Sequence, residues 1–129
     1  MKAAVAALAG LGLAAAAACF SERAGGPIVA GAAECRVPVT VIDSQHFLVA
    51  IRDFLYYPDS IAVPAGATVT WVNCEPPATE PHTTTSDTPA WDSGEFPVGA
   101  RFSHTFPTPG VFPYHCAVHS GMLGKIVVQ

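Results

Sequence analysis

Cys116-Ala-Val-His119-Ser-Gly-Met122 sets a thiolate, an imidazole and a thioether within seven residues of a 129-residue chain. Soft sulfur joined to imidazole nitrogen, with a methionine as a weak extra ligand, is the donor set of a copper site that moves single electrons. Cu(II) favours imidazole, and Cu(I) favours soft sulfur and fewer ligands. One thiolate and two imidazoles in a plane suit both states moderately well, so little rearranges when the electron moves. By composition alone the C-x2-H-x2-M spacing is expected about 0.002 times in such a chain. Gly121 and Gly124 allow the backbone conformations that a tight wrap around one ion needs.

The second imidazole must come from elsewhere. His82 is the best candidate, because it follows a Pro-rich loop and opens a short predicted strand, Thr83 to Ser86. His46 falls in a turn at the opposite pole, and His104 lies mid-strand. His115 directly precedes Cys116, so on a strand it points to the opposite face.

The elements that must position these groups read as β throughout. Thr68-Val-Thr-Trp-Val-Asn73 alternates β-branched and aromatic residues. Further strands are expected over Val37–Ile42, Phe47–Phe54, Ile61–Val63, Trp91–Phe96, Arg101–Phe106, Val111–Cys116 and Gly124–Gln129. Pro64-Ala-Gly66, Pro97-Val-Gly99 and Thr108-Pro-Gly110 mark turns. Residues 74–81, CEPPATEP, hold three prolines and cannot be a central strand. The pattern predicts an all-β Greek-key sandwich of about eight strands, with no second domain.

Residues 1–19 read as a signal peptide: Lys2 precedes an Ala/Leu/Gly run that ends in small residues. Cys19 directly after that run hints at a bacterial lipoprotein signal, although Ala16 stands where a larger aliphatic residue is usual. Residues 20–35 lack any period and read as a flexible linker, which leaves 36–129 as the domain. Export permits disulfides. With Cys116 assigned to metal and Cys19 to the leader or a lipid, Cys35 and Cys74 remain as a candidate pair; two buried free thiols are the alternative. The formal charge of −4 excludes a basic nucleic-acid binder and suits the steering of basic partners.

Residues 47–129 resemble the cupredoxin family, in particular its amicyanin, pseudoazurin and plastocyanin-like members. The matching pieces include Ile51-Arg-Asp-Phe54, Val63-Pro-Ala-Gly66, Val69-Thr-Trp-Val-Asn73, His82, Ser93-Gly94, Pro109-Gly110 and Tyr114-His-Cys-Ala-Val-His-Ser-Gly-Met122. The resemblance implies an eight-stranded sandwich with one type 1 copper held by His82, Cys116, His119 and Met122. It also implies that His119 breaks the surface in an apolar patch as the electron's exit. Two positions depart from the pattern. Thr83 stands where Asn usually ties the two ligand segments together, and Ser120 stands where Pro often follows the second histidine.

The expected function is therefore that of an exported, monomeric one-electron shuttle. It would be periplasmic, with a lipid anchor at Cys19 as one option. It would serve redox proteins such as a cytochrome, dehydrogenase or oxidase. A copper carrier or buffer is the alternative. An enzyme reading is disfavoured. His115-Cys116 resembles the pair through which copper oxidases and nitrite reductases pass electrons, but those enzymes need further histidines, usually as H-x-H, and this chain has none. Asp87, Asp92 and Glu95 read as solvated loop carboxylates.

Overall fold

A computed structural model describes Cys35 and residues 42–129. The predicted leader, most of the linker, Cys19 and nearly all of the expected strand Val37–Ile42 lie outside the described residues. Eight strands follow in order: β1 His46–Arg52, β2 Leu55–Tyr57, β3 Ser60–Val63, β4 Ala67–Asn73, β5 Thr85–Ser86, β6 Arg101–Phe106, β7 Gly110–His115 and β8 Leu123–Val128. They form two four-stranded sheets, β2-β1-β4-β6 and β3-β8-β7-β5. Both sheets are mixed: β1 runs parallel to β4 and β3 parallel to β8, while the remaining pairs are antiparallel. No helix occurs among the described residues.

Alternation explains the packing. On β4, Ala67, Val69 and Trp71 point into the sandwich, against Phe47, Val49 and Ile51 of β1 and Ile126 and Val128 of β8. Trp71 has no exposed surface and stacks on Trp91, with ring centroids 5.7 Å apart. Burying side chains of this size contributes about 1.5–3 kcal/mol each, which is what holds the two sheets together.

Three elements differ from expectation. The strand predicted over Phe47–Phe54 ends at Arg52, because Asp53 and Phe54 both take positive φ (53° and 58°) and turn the chain into β2. Arg52 pairs with Leu55 across this two-residue turn, the geometry that matches the right-handed twist of a hairpin. Trp91–Phe96 makes only two single bridges, His82 with Phe96 and Thr85 with Asp92. Gly94, at φ 59°, breaks the run, and its N–H is held by the Asp92 carboxylate at 2.9 Å. His46 opens β1 rather than sitting in the turn before it; Asp43 caps that turn by accepting the N–H groups of Gln45 and His46.

The expected Cys35–Cys74 disulfide is present, with Cα atoms 5.5 Å apart. It anchors the start of the Pro-rich loop 74–81 at the pole where β1 and β4 end.

Candidate metal centre

β7 and β8 are neighbours, and their final pair is His115 with Leu123. The chain between them is the short loop that carries Cys116, His119 and Met122. Cys116 N–H donates to the Met122 carbonyl at 3.0 Å and closes the loop at its base. Gly121 takes φ 84°, the conformation the wrap requires. Gly124 has a different role from the one expected: a Cβ there would run into the Tyr114 ring and hydroxyl, so it supplies space rather than backbone freedom.

His82 reaches the same pole from the other side. Its backbone exchanges two hydrogen bonds with Phe96, at 3.3 and 2.9 Å. Asn73, fully buried at the end of β4, fixes this region further. Its side-chain N–H donates to the Phe96 carbonyl, and its side-chain oxygen accepts the Glu75 N–H. The strand expected over Thr83–Ser86 shrinks to two residues because Thr83 and Thr84 spend their N–H groups elsewhere: on the Cys116 sulfur at 3.3 Å and on Ser93 Oγ at 2.8 Å.

The three predicted donors converge. Cys116 Sγ lies 3.8 Å from His82 Nδ1 and 3.5 Å from His119 Nδ1, and the two ring nitrogens are 3.1 Å apart. His82 and Cys116 are buried, and His119 reaches the surface with 16% of its side chain exposed. Met122, in the same loop, is buried as well. The other histidines stay away. His115 pairs with Asp87 on the far side of its strand, His104 stacks on Trp91, and His46 pairs with Asp43 at the opposite pole.

Each site imidazole also touches a carboxylate through its outer nitrogen: His82 Nε2 to Glu75 at 3.2 Å, and His119 Nε2 to Glu80 at 3.1 Å. A carboxylate only accepts, so both Nε2 atoms are the donors, and in the neutral rings both Nδ1 atoms are bare acceptors. Two lone pairs and a sulfur aimed at one point form a poor hydrogen-bonded cluster and a good cation site. A planar arrangement with nitrogen at about 2.0–2.1 Å and sulfur at about 2.3 Å from an ion needs about 3.5 Å between the nitrogens and about 3.8 Å from nitrogen to sulfur. The observed separations lie close to these, and the donor set fits a single type 1 copper.

The electrostatics agree. Burial would raise the Cys116 thiol, but backbone N–H groups of Thr83 and Val118, together with His119, outweigh it and draw the group towards thiolate. Burial lowers the pKa of His82, and His119 beside it adds to the effect. His119 is raised, mainly through its hydrogen bond to Glu80. Phe54 presents its ring edge-on to both imidazoles, with centroids 5.4 Å from His82 and 4.9 Å from His119. Glu75, Glu80 and Phe54 are site residues that the sequence reading missed. The one available signal was the pair of acids in the Pro-rich segment that leads to His82.

Residues 45–129 match the model of the copper-binding proteins of the plastocyanin/azurin family. Among solved structures, a novel purple cupredoxin from Nitrosopumilus maritimus is 28% identical with a TM-score of 0.57, over 64% of this chain and 98% of that one. An oxidised amicyanin variant is 28% identical with a TM-score of 0.60, over 68% and 86%. A copper-containing nitrite reductase from Thermus scotoductus is 27% identical with a TM-score of 0.59, but the match spans only 22% of that longer chain. With its fold, its converging donors and these likenesses in agreement, the chain belongs to the plastocyanin/azurin family of copper-binding proteins.

Proposed function

We propose that this protein is an exported one-electron carrier that performs no catalysis of its own, with His82, Cys116, His119 and axial Met122 as its copper ligands. The observation that carries the reading is the convergence of His82 Nδ1, Cys116 Sγ and His119 Nδ1, all within 4.8 Å of one another at one pole. Bound copper supplies a one-electron couple between Cu(II) and Cu(I). The protein's part is to hold the donors steady through both states. The β7–β8 frame clamps three of them, and the Phe96 and Asn73 contacts clamp the fourth. Burial of His82, Cys116 and Met122 keeps water from the ligands. His119 is the ring at the surface, and exposed Phe54 and Val118 provide apolar area for a redox partner around it. The signal-like leader supports export to the periplasm, with a lipid anchor at Cys19 as one option beside a soluble form, and the chain would act as a monomer.

The test is the absorption spectrum of the protein loaded with Cu(II). An intense visible thiolate-to-copper band is expected, and it disappears in Cys116→Ser. Copper binding without that band would instead favour the carrier or buffer role.

A further inference from the structure

Glu75 and Glu80 come from one Pro-rich loop, five positions apart, and each holds a different site imidazole by its outer nitrogen. Their surroundings are opposite. The His82–Glu75 pair is 0% and 2% exposed, whereas the Glu80 side chain is 77% exposed. Glu75 does a second job, because the same oxygen accepts the Phe54 N–H at 2.7 Å. It thereby steadies a bulky residue in the left-handed region, where such residues rarely sit.

Resting on the ligand set given above, we propose that Glu75 and Glu80 are positioning residues that fix both imidazoles with Nδ1 towards the metal and bias the site towards its divalent state. Each carboxylate accepts an Nε2–H, which fixes the tautomer and raises the basicity of the nitrogen that faces inward. Each also sets negative charge behind a ligand, where it stabilises a divalent ion more than a monovalent one. Glu75 acts through a dry path that salt does not reach, and Glu80 acts at the surface, where salt screens it. Loop 74–81 is therefore a tuning element for the copper potential, with one buried and one salt-sensitive contact.

The experiment compares Glu75→Gln and Glu80→Gln with the parent at one fixed pH. Gln keeps an acceptor oxygen for the N–H and removes the charge. Cu(II) and Cu(I) affinities of the metal-free protein are measured by chelator competition, the potential by voltammetry, and the imidazole tautomers by ¹⁵N NMR. In Glu75→Gln, Cu(II) affinity is expected to fall about 10-fold or more, with Cu(I) affinity less affected. Each tenfold change in the affinity ratio raises the potential by about 59 mV. In Glu80→Gln the shift has the same sign, is smaller, and fades as ionic strength rises from about 0.01 to 1 M. A purely structural role for Glu75 would lower the melting temperature and leave the affinity ratio in place. That result, or a Glu80→Gln shift indifferent to salt, overturns the proposal while the thiolate band in the parent keeps the ligand reading intact. Absence of that band in the parent overturns both.

Discussion

Thr83 ties the His82 segment to the Cys116 loop through two groups and to β2 through a third. Its N–H points at the Cys116 sulfur, its hydroxyl accepts the Ala117 N–H at 2.7 Å, and its carbonyl accepts the Tyr56 hydroxyl at 2.6 Å. The hydroxyl thus makes the cross-segment bond expected of the Asn usual at this position. Thr83→Val keeps the shape and deletes that acceptor. The expected loss is about 0.5–1.5 kcal/mol, seen as a melting point lower by several degrees in the metal-free protein; Thr83→Ser should restore most of it. A second prediction concerns His104. Its ring stacks on Trp91 at 5.2 Å and meets Phe106 edge-on at 4.8 Å. Burial there holds its pKa below the ordinary histidine value. The folded state therefore favours the neutral ring, and the unfolded chain takes up the proton at higher pH. This contribution is complete above about pH 6.5 and is lost as the pH falls through the folded value. Chemical denaturation at a series of pH values should show a shallower acid-side loss for His104→Phe than for the parent. At this scale the convergence of His82, Cys116 and His119 was legible, because Cys, His and Met at fixed spacing have few other uses. The two glutamates were not: an acid beside prolines looks like any solvated loop charge until the fold brings a histidine to it.

At the scale of elements, sequence patterning located strands well and turns less well. β4, β6 and β8 fall within one residue of the runs expected for them, β4 through its alternating β-branched and aromatic residues. The β1–β2 hairpin was invisible because Phe54 is no turn former; its left-handed backbone is held from outside, by the Glu75 carboxylate. Trp91–Phe96 begins and ends on a buried aromatic residue, but five positions separate the two, so the two-residue period of a strand cannot turn both to one face. The β7–β8 pair carries a constraint of its own. Tyr114 and Gly124 face each other in register, and the buried Tyr114 ring fills the space where a side chain at 124 would go. Gly124→Ala forces that ring, packed against Tyr56 and Trp71, to move. The expected destabilisation is about 1–3 kcal/mol, read from urea unfolding. Because the same pair frames the ligand loop, the visible band of the copper-loaded variant should broaden as well. An unchanged urea midpoint would mean that the ring has a second resting place.

At the scale of the whole molecule, the only covalent cross-link among the described residues joins Cys35, upstream of β1, to Cys74 at the head of the Pro-rich loop. The pairing was readable by elimination among four cysteines, and its pole followed from the strand expected over Thr68–Asn73, which ends at Asn73 as β4 does and releases Cys74 there. The sequence separation of 39 corresponds to about 4 kcal/mol of loop-closure entropy removed from the unfolded chain. A domain of this size has about 5–15 kcal/mol of net stability in all, so the bridge accounts for a large share. Its effect on the site should be much smaller. The donors are held by the β7–β8 frame, by Asn73 and by the His82–Phe96 bridge, none of which includes Cys35. The double variant Cys35→Ser/Cys74→Ser separates the two effects without adding a reductant that would also reduce the copper. Its urea midpoint should fall by an amount equivalent to about 2–4 kcal/mol, while the thiolate band keeps its position under native conditions. A band that moved with the midpoint would show that the cross-link shapes the ligand cage itself, through the loop that carries Glu75 and Glu80.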